Sequence, residues 1–159
     1  KITFTKEKKM SINIGDKIPS FNLVSNSKVS LSDEDFLGKK TSFVFIPFPF
    51  SSVCDKEVCE LRDNFSNNTE TPDTVIITVC ARPTNDAWVK HYNLDYPVLA
   101  DFWPHGEVSK KFGCFNDQVG ISMRVTYITD ENNIVTKIIK TDEIIEPRSI
   151  EDYKEAYSS

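Results

Sequence analysis

Apolar residues in this chain gather in short solid blocks, and between the blocks they return every three or four positions. That alternation predicts strands interleaved with helices. The densest block, Phe43-Val44-Phe45-Ile46, is β-branched and aromatic, and it ends at Pro47. It predicts a strand buried on both faces. Pro47 and Pro49 stop the strand, and Ser51 or Ser52 is a natural N-cap for a helix. Cys54, Val58, Leu61 and Phe65 then recur at spacings of four, three and four, one stripe of a helix that begins at or just before Cys54. Ser66 to Asp73 is a loop by composition. Val75 to Val79 is a second buried strand, with Cys80 at its end. Asn85 to Tyr92 predicts a helix, Pro97 to Ala100 a short extended segment, and Glu107 to Phe112 a helix closed by Gly113. Arg124–Ile128 and Ile134–Ile139 flank a polar turn and predict a hairpin. Ser149-x-x-Asp152 opens a terminal helix with Ile150, Tyr153 and Tyr157 on one face. Residues 14–31 read as two short strands, and Asp33 to Leu37 as a turn or short helix capped by Ser32. The whole predicts an α/β domain, a central mixed sheet flanked by helices.

Length and charge narrow the function. The 159 residues suffice for one domain and are too few for two ordinary ones. Residues 14–159 are read as that domain. Residues 1–13 form a polar, lysine-bearing lead, and Met10 is a plausible native start, which makes residues 1–9 candidates for a non-native extension. A net charge of -5 argues against nucleic acid and anionic membrane surfaces as partners. The longest apolar run, Phe43 to Phe50, is broken by two prolines and is far short of a membrane span. No secretory signal is visible. Four widely spread cysteines, Cys54, Cys59, Cys80 and Cys114, suit a reducing compartment such as the cytoplasm better than a disulfide framework. Their spacing with His91 and His105 does not match zinc knuckles, and no metal or other cofactor is expected. The C-x-x-C of a thioredoxin-type reductase is absent, because Asp55-Lys56-Glu57 follow Cys54.

Cys54 is the candidate for chemistry. The first turn of a helix presents unpaired N–H groups and the positive end of the dipole, which favour a thiolate over a thiol. The carboxyl ends of strands are also where open α/β sheets keep their sites. An inert buried cysteine is the alternative.

Pro47-x-x-x-Ser51-x-x-Cys54 resembles the P-x-x-x-(T/S)-x-x-C signature of the peroxiredoxins, thiol peroxidases of the thioredoxin fold. Ile14 to Leu23 looks like the family's opening strand, and Val29–Ser32 with Gly38-Lys39 resembles the approach to its central strand. Asp101-Phe102-Trp103-Pro104-His105-Gly106 and the segment around Arg124 resemble the alkyl hydroperoxide reductase E subgroup. The resemblance spans residues 14 to 157 and implies a thioredoxin-like fold. It also implies reduction of hydrogen peroxide, organic hydroperoxides or peroxynitrite through a sulfenic acid on Cys54. Thioredoxin, glutaredoxin or a low-molecular-weight thiol would return the enzyme, and a homodimer is implied as well. A redox sensor or chaperone-like module of the same fold is the rival reading.

A lowered thiol pKa is not enough for such a reaction. Dropping it from about 8.5 to about 6 raises the thiolate fraction roughly thirty-fold, and the weaker nucleophile returns a factor of roughly 10–18. Donors aimed at the departing oxygen must supply the rest. Candidates are the helix-start N–H groups of Val53 and Cys54, the Ser51 hydroxyl and, by resemblance, the guanidinium of Arg124. Pro47 is expected to cover the site. Glu57, three residues past Cys54, either orients Arg124 or is solvated. His105, in the subgroup-like loop, is a further candidate for the pocket wall. Trp88, Phe102 and Trp103 are read as core or dimer-face aromatics.

Cys59 sits five residues past Cys54, about 140° around an ideal helix, on the side of Asp55 and Asp63. Cα atoms so spaced lie roughly 8.6 Å apart, and a disulfide tolerates up to about 7 Å. An intact helix therefore forbids a Cys54–Cys59 bond. The same spacing resembles the resolving cysteine of Q-type peroxiredoxins, whereas the E-type pattern has one working cysteine, so Cys59 is either resolving residue or bystander. Cys80 is expected to be inert, and Cys114 is a weaker resolving candidate.

Overall fold

The dense apolar block forms the strand around which the sheet is laid. In the computed structural model, which describes residues 11–158, the chain order is β1 (Asn22–Ser25), β2 (Ser30–Ser32), a 3-10 turn at Asp33–Phe36, β3 (Thr41–Phe45) and α1 (Ser52–Phe65). Next come β4 (Asp73–Thr78), α2 (Arg82–Tyr92), β5 (Val98–Ala100), α3 (Glu107–Phe112), the short pair β6 (Phe115–Asn116) and β7 (Ile121–Ser122), β8 (Val125–Thr129), β9 (Val135–Lys140) and α4 (Ile150–Tyr157). Seven strands form one mixed sheet in the order β2-β1-β5-β4-β3-β8-β9. β3 pairs parallel with β4 and antiparallel with β8.

Alternation along β3 sends its side chains into two cores. Phe43 and Phe45 join Val75, Ile77, Phe112 and Tyr127 on one face. Val44 and Ile46 join Ile76, Trp88, Tyr153 and the inward stripe of α1 (Cys54, Val58, Leu61) on the other. Every residue of β3 is buried, the polar Thr41 and Ser42 as well as the apolar Phe43 to Phe45, as befits a strand covered on both faces.

Several elements differ from the expectation. Residues 14–21 make a single bridge, Lys17 to Ile134, and the opening strand begins only at Asn22. The Pro19 ring, which brings no N–H to a ladder, is one reason. α2 begins at Arg82, three residues early, because Pro83 sits in its first turn, where a missing N–H is harmless. The β6–β7 pair was not predicted, since two-residue strands are too short to show a period. The reading of residues 1–9 as an extension lies outside the described residues. No helix among the described residues is long and apolar enough to cross a membrane.

Candidate active site

α1 starts seven residues after β3 ends, so Cys54 lies at the carboxyl end of the central strand. Because β8 runs antiparallel to β3 with Val125 opposite Phe45, the residue before β8 reaches the same end. That residue is Arg124. Alternation places Arg124 and Thr126 on the α1 face of the sheet, while Val125 and Tyr127 enter the other core. The Arg124 guanidinium donates to the Cys54 sulfur at 3.2 Å. Its Nε donates to the Ile144 carbonyl at 2.6 Å, which fixes the plane of the group. Cys54 has no exposed surface. Pro47 is buried where the strand ends. Ser51 is the N-cap of α1 in backbone geometry (φ −79°, ψ 137°), yet its hydroxyl makes no cap bond. That hydroxyl is left to serve another acceptor.

Glu57 is not solvated. It lies buried between two guanidiniums. Oε1 accepts from Arg124 at 2.5 Å and from Arg148 at 3.2 Å, and Oε2 accepts from the Arg148 backbone N–H at 2.7 Å and its Nε at 2.8 Å. Arg148 also donates to the Thr126 hydroxyl at 3.0 Å, which lies 2.6 Å from the Tyr153 hydroxyl. Burial alone would push the Glu57 carboxyl up, but the Arg148 charge and hydrogen bonds, with the Arg124 charge, hold it below the ordinary glutamate value. Two buried cations against one anion leave one positive charge uncompensated beside the Cys54 sulfur. Sequence reasoning missed Arg148. It stands in an irregular segment just before the Ser149 cap of α4, where no periodicity marks it.

The remaining candidates scatter. Cys114 lies in the core on the opposite face of the sheet from Cys54, so the fold itself separates the two thiols. Burial pushes the Cys114 thiol far up. Cys80, half-buried at the end of β4, is raised by burial too. Cys59 is half-buried on α1, and burial, opposed by the Arg62 charge, raises it as well. All four cysteines are free thiols. His105 is exposed and bonds the Gly120 carbonyl at 2.7 Å, away from the sulfur. Trp88 is a core residue, while Phe102 and Trp103 are exposed.

The model of the AhpC/TSA family matches residues 14–138. The chain belongs to the AhpC/TSA family. It is 34% identical over 128 residues to alkyl hydroperoxide reductase E of Mycobacterium tuberculosis, covering 78% of this chain and 82% of that protein. It is 28% identical over 137 residues to the putative peroxiredoxin bcp of Coxiella burnetii, covering 81% and 89%. The crystal structure of Enterococcus faecalis AhpC superposes with a TM-score of 0.82 at 22% identity, over 92% of this chain and 91% of that one, which shows the shared thioredoxin-like fold. This member of the AhpC/TSA family is a peroxiredoxin, a thiol-dependent peroxidase.

Proposed function

We propose that Cys54 is the peroxidatic thiol and that Arg124, Ser51 and the first N–H groups of α1 bind the peroxide oxygens, under a cover formed by Pro47. One observation carries this reading: the Arg124 guanidinium lies 3.2 Å from the Cys54 sulfur. The sulfur attacks the nearer peroxide oxygen, the O–O bond breaks, and the sulfur leaves as a sulfenate while the far oxygen departs as water or an alcohol. Negative charge grows on that departing oxygen inside a site closed to bulk water. A fixed cation acts strongly there, because it needs no reorganisation as the charge moves. The uncompensated positive charge of the Arg124–Glu57–Arg148 group is the complement such an anion requires. Glu57 serves by holding both guanidiniums in place.

The sulfenic acid is then reduced. We place Cys59 as the resolving thiol, with a thioredoxin, a glutaredoxin or a low-molecular-weight thiol as the external reductant. Two copies are proposed to pair through the apolar side chains Phe48, Phe50, Phe102 and Trp103, all exposed in the turns after β3 and β5 at the same end of the sheet. Sedimentation is expected to find twice the 18.2 kDa chain mass, and a monomer at micromolar concentration would remove that pairing. To test the site, the reduced protein is treated with one equivalent of hydrogen peroxide and trapped with a sulfenic-acid reagent. The adduct is expected on Cys54 first. A first adduct on Cys59, Cys80 or Cys114 would overturn the assignment.

A further inference from the structure

Asp55 follows Cys54 directly, and its carboxylate ties the first turn of α1 to α2. Oδ1 accepts from the Trp88 indole N–H at 2.8 Å and from the Phe50 backbone N–H at 3.1 Å, and Oδ2 accepts from the Tyr92 hydroxyl at 2.8 Å. Trp88 has no exposed surface, so water does not replace that partner without a rearrangement. Phe50 holds a φ of 65°, a conformation that a residue with a Cβ seldom adopts, and the bond from Asp55 helps to keep it there. Two turns further along α1, Arg62 donates to the Tyr92 carbonyl. Asp55, Cys59 and Arg62 stand at i, i+4 and i+7, one stripe of the helix. The expected polar face is therefore the seam with α2, and Cys59 sits between the two ties.

A Cys54–Cys59 bond needs the start of α1 to unwind, and two carboxylates lie on the intervening segment. Glu57 is gripped by two buried guanidiniums, and releasing it would strand three buried charges. Asp55 is half-buried and held by neutral donors, so releasing it returns one carboxylate to water. The segment Ser51–Lys56 is thus the part that opens, pivoting at Glu57, and Asp55 is its fastening.

We propose that Asp55 is a positioning residue that latches the Cys54 turn to Trp88 and Tyr92 and thereby sets how oxidised Cys54 divides between two fates. The inference rests on Cys54 as the peroxidatic thiol and Cys59 as its partner. With the latch closed, the sulfenic acid stays beside Arg124. A second peroxide then transfers an oxygen to it, giving the sulfinic acid and another water or alcohol. With the latch open, the Cys59 thiolate attacks the Cys54 sulfur. The S–S bond forms, the S–O bond breaks, and the oxygen leaves as water after taking up protons.

Tyr92→Phe and Trp88→Phe each delete one donor to Asp55; the first keeps its ring, and the second puts a smaller phenyl in place of the buried indole. Both are to be followed in single-turnover oxidation with hydrogen peroxide, quenched by a thiol-blocking reagent and read by mass spectrometry. Each is expected to speed the Cys54–Cys59 disulfide on the order of tenfold. Sulfenic acid should form at the wild-type rate, and less sulfinic acid should accumulate in excess peroxide. In the reduced variants the amides of residues 52–56 should exchange hydrogen faster, with α4 unchanged. Tyr92 is half-buried, so Tyr92→Phe keeps the test standing if the buried tryptophan variant fails to fold. A disulfide rate unchanged in the folded variants overturns the latch, as does wild-type exchange at those amides or a Cys54–Cys59 bond that forms in none of the proteins. A wild type whose Cys54 takes up no oxygen overturns the peroxidatic assignment itself, and the latch with it.

Discussion

Replacing Arg124 by methionine is expected to lower the second-order rate constant for hydrogen peroxide by about 10²–10³-fold, the usual loss when a fixed donor to a developing anion is removed. The same guanidinium nitrogen touches the Cys54 sulfur and the Glu57 carboxylate, while Nε is held by the Ile144 carbonyl. Methionine keeps much of the volume and none of these donors. Arg124→Lys is expected to recover only part of the loss, because a single ammonium cannot span the carbonyl, the carboxylate and the sulfur in one plane. Glu57 remains paired with Arg148 in both variants, so the fold should survive and the loss should appear in the peroxide step. Stopped-flow oxidation under pseudo-first-order conditions reads it directly. A rate within threefold of wild type would make Arg124 a packing residue and remove the basis of the proposed reaction.

Glu57→Gln should be the most destabilising single change near the site, by about 3–5 kcal/mol at neutral pH, the range found when one partner of a buried ion pair is deleted. Glutamine leaves two buried guanidiniums facing one another with no anion between them. The pH dependence comes from the lowered carboxyl. A group whose folded pKa is depressed adds stability above its unfolded value, about 4.3 for glutamate. That increment is lost as pH falls through the still lower folded value. Wild type and Glu57→Gln should therefore differ most near neutrality and converge in acid. Urea unfolding at several pH values checks this. A gap that stays constant down to acid pH would mean that shape, not charge, gives Glu57 its effect.

The two changes probe different links of one arrangement. Arg124 acts on the reacting atoms, and Glu57 acts through the guanidiniums it holds. Asp55 adds a third level, because it governs the motion of the turn that carries the sulfur. Three neighbouring positions of α1 thus divide the labour by helix angle: Cys54 faces Arg124, Glu57 faces Arg124 and Arg148, and Asp55 faces α2.

The strand, its proline stop, the capping serine and the helix bearing Cys54 were legible from the sequence alone because each is local. An apolar block, a missing N–H and a stripe at helical spacing act within a few residues of themselves. The alternation of strands and helices that defines the fold class was legible for the same reason, and the signature around Pro47, Ser51 and Cys54 pointed to the family. Arg124 was named beside the thiol through the family resemblance, and tertiary structure alone decided what else is arranged around it. It brought Arg148 to Glu57 across 91 positions, from a segment with no pattern of its own. It turned the apparently polar side of α1 into a seam with α2, and it put Cys114 beyond the sheet from Cys54. Such pairings depend on which distant segments pack together, and a carboxylate reads the same in sequence whether water or a buried guanidinium lies beside it.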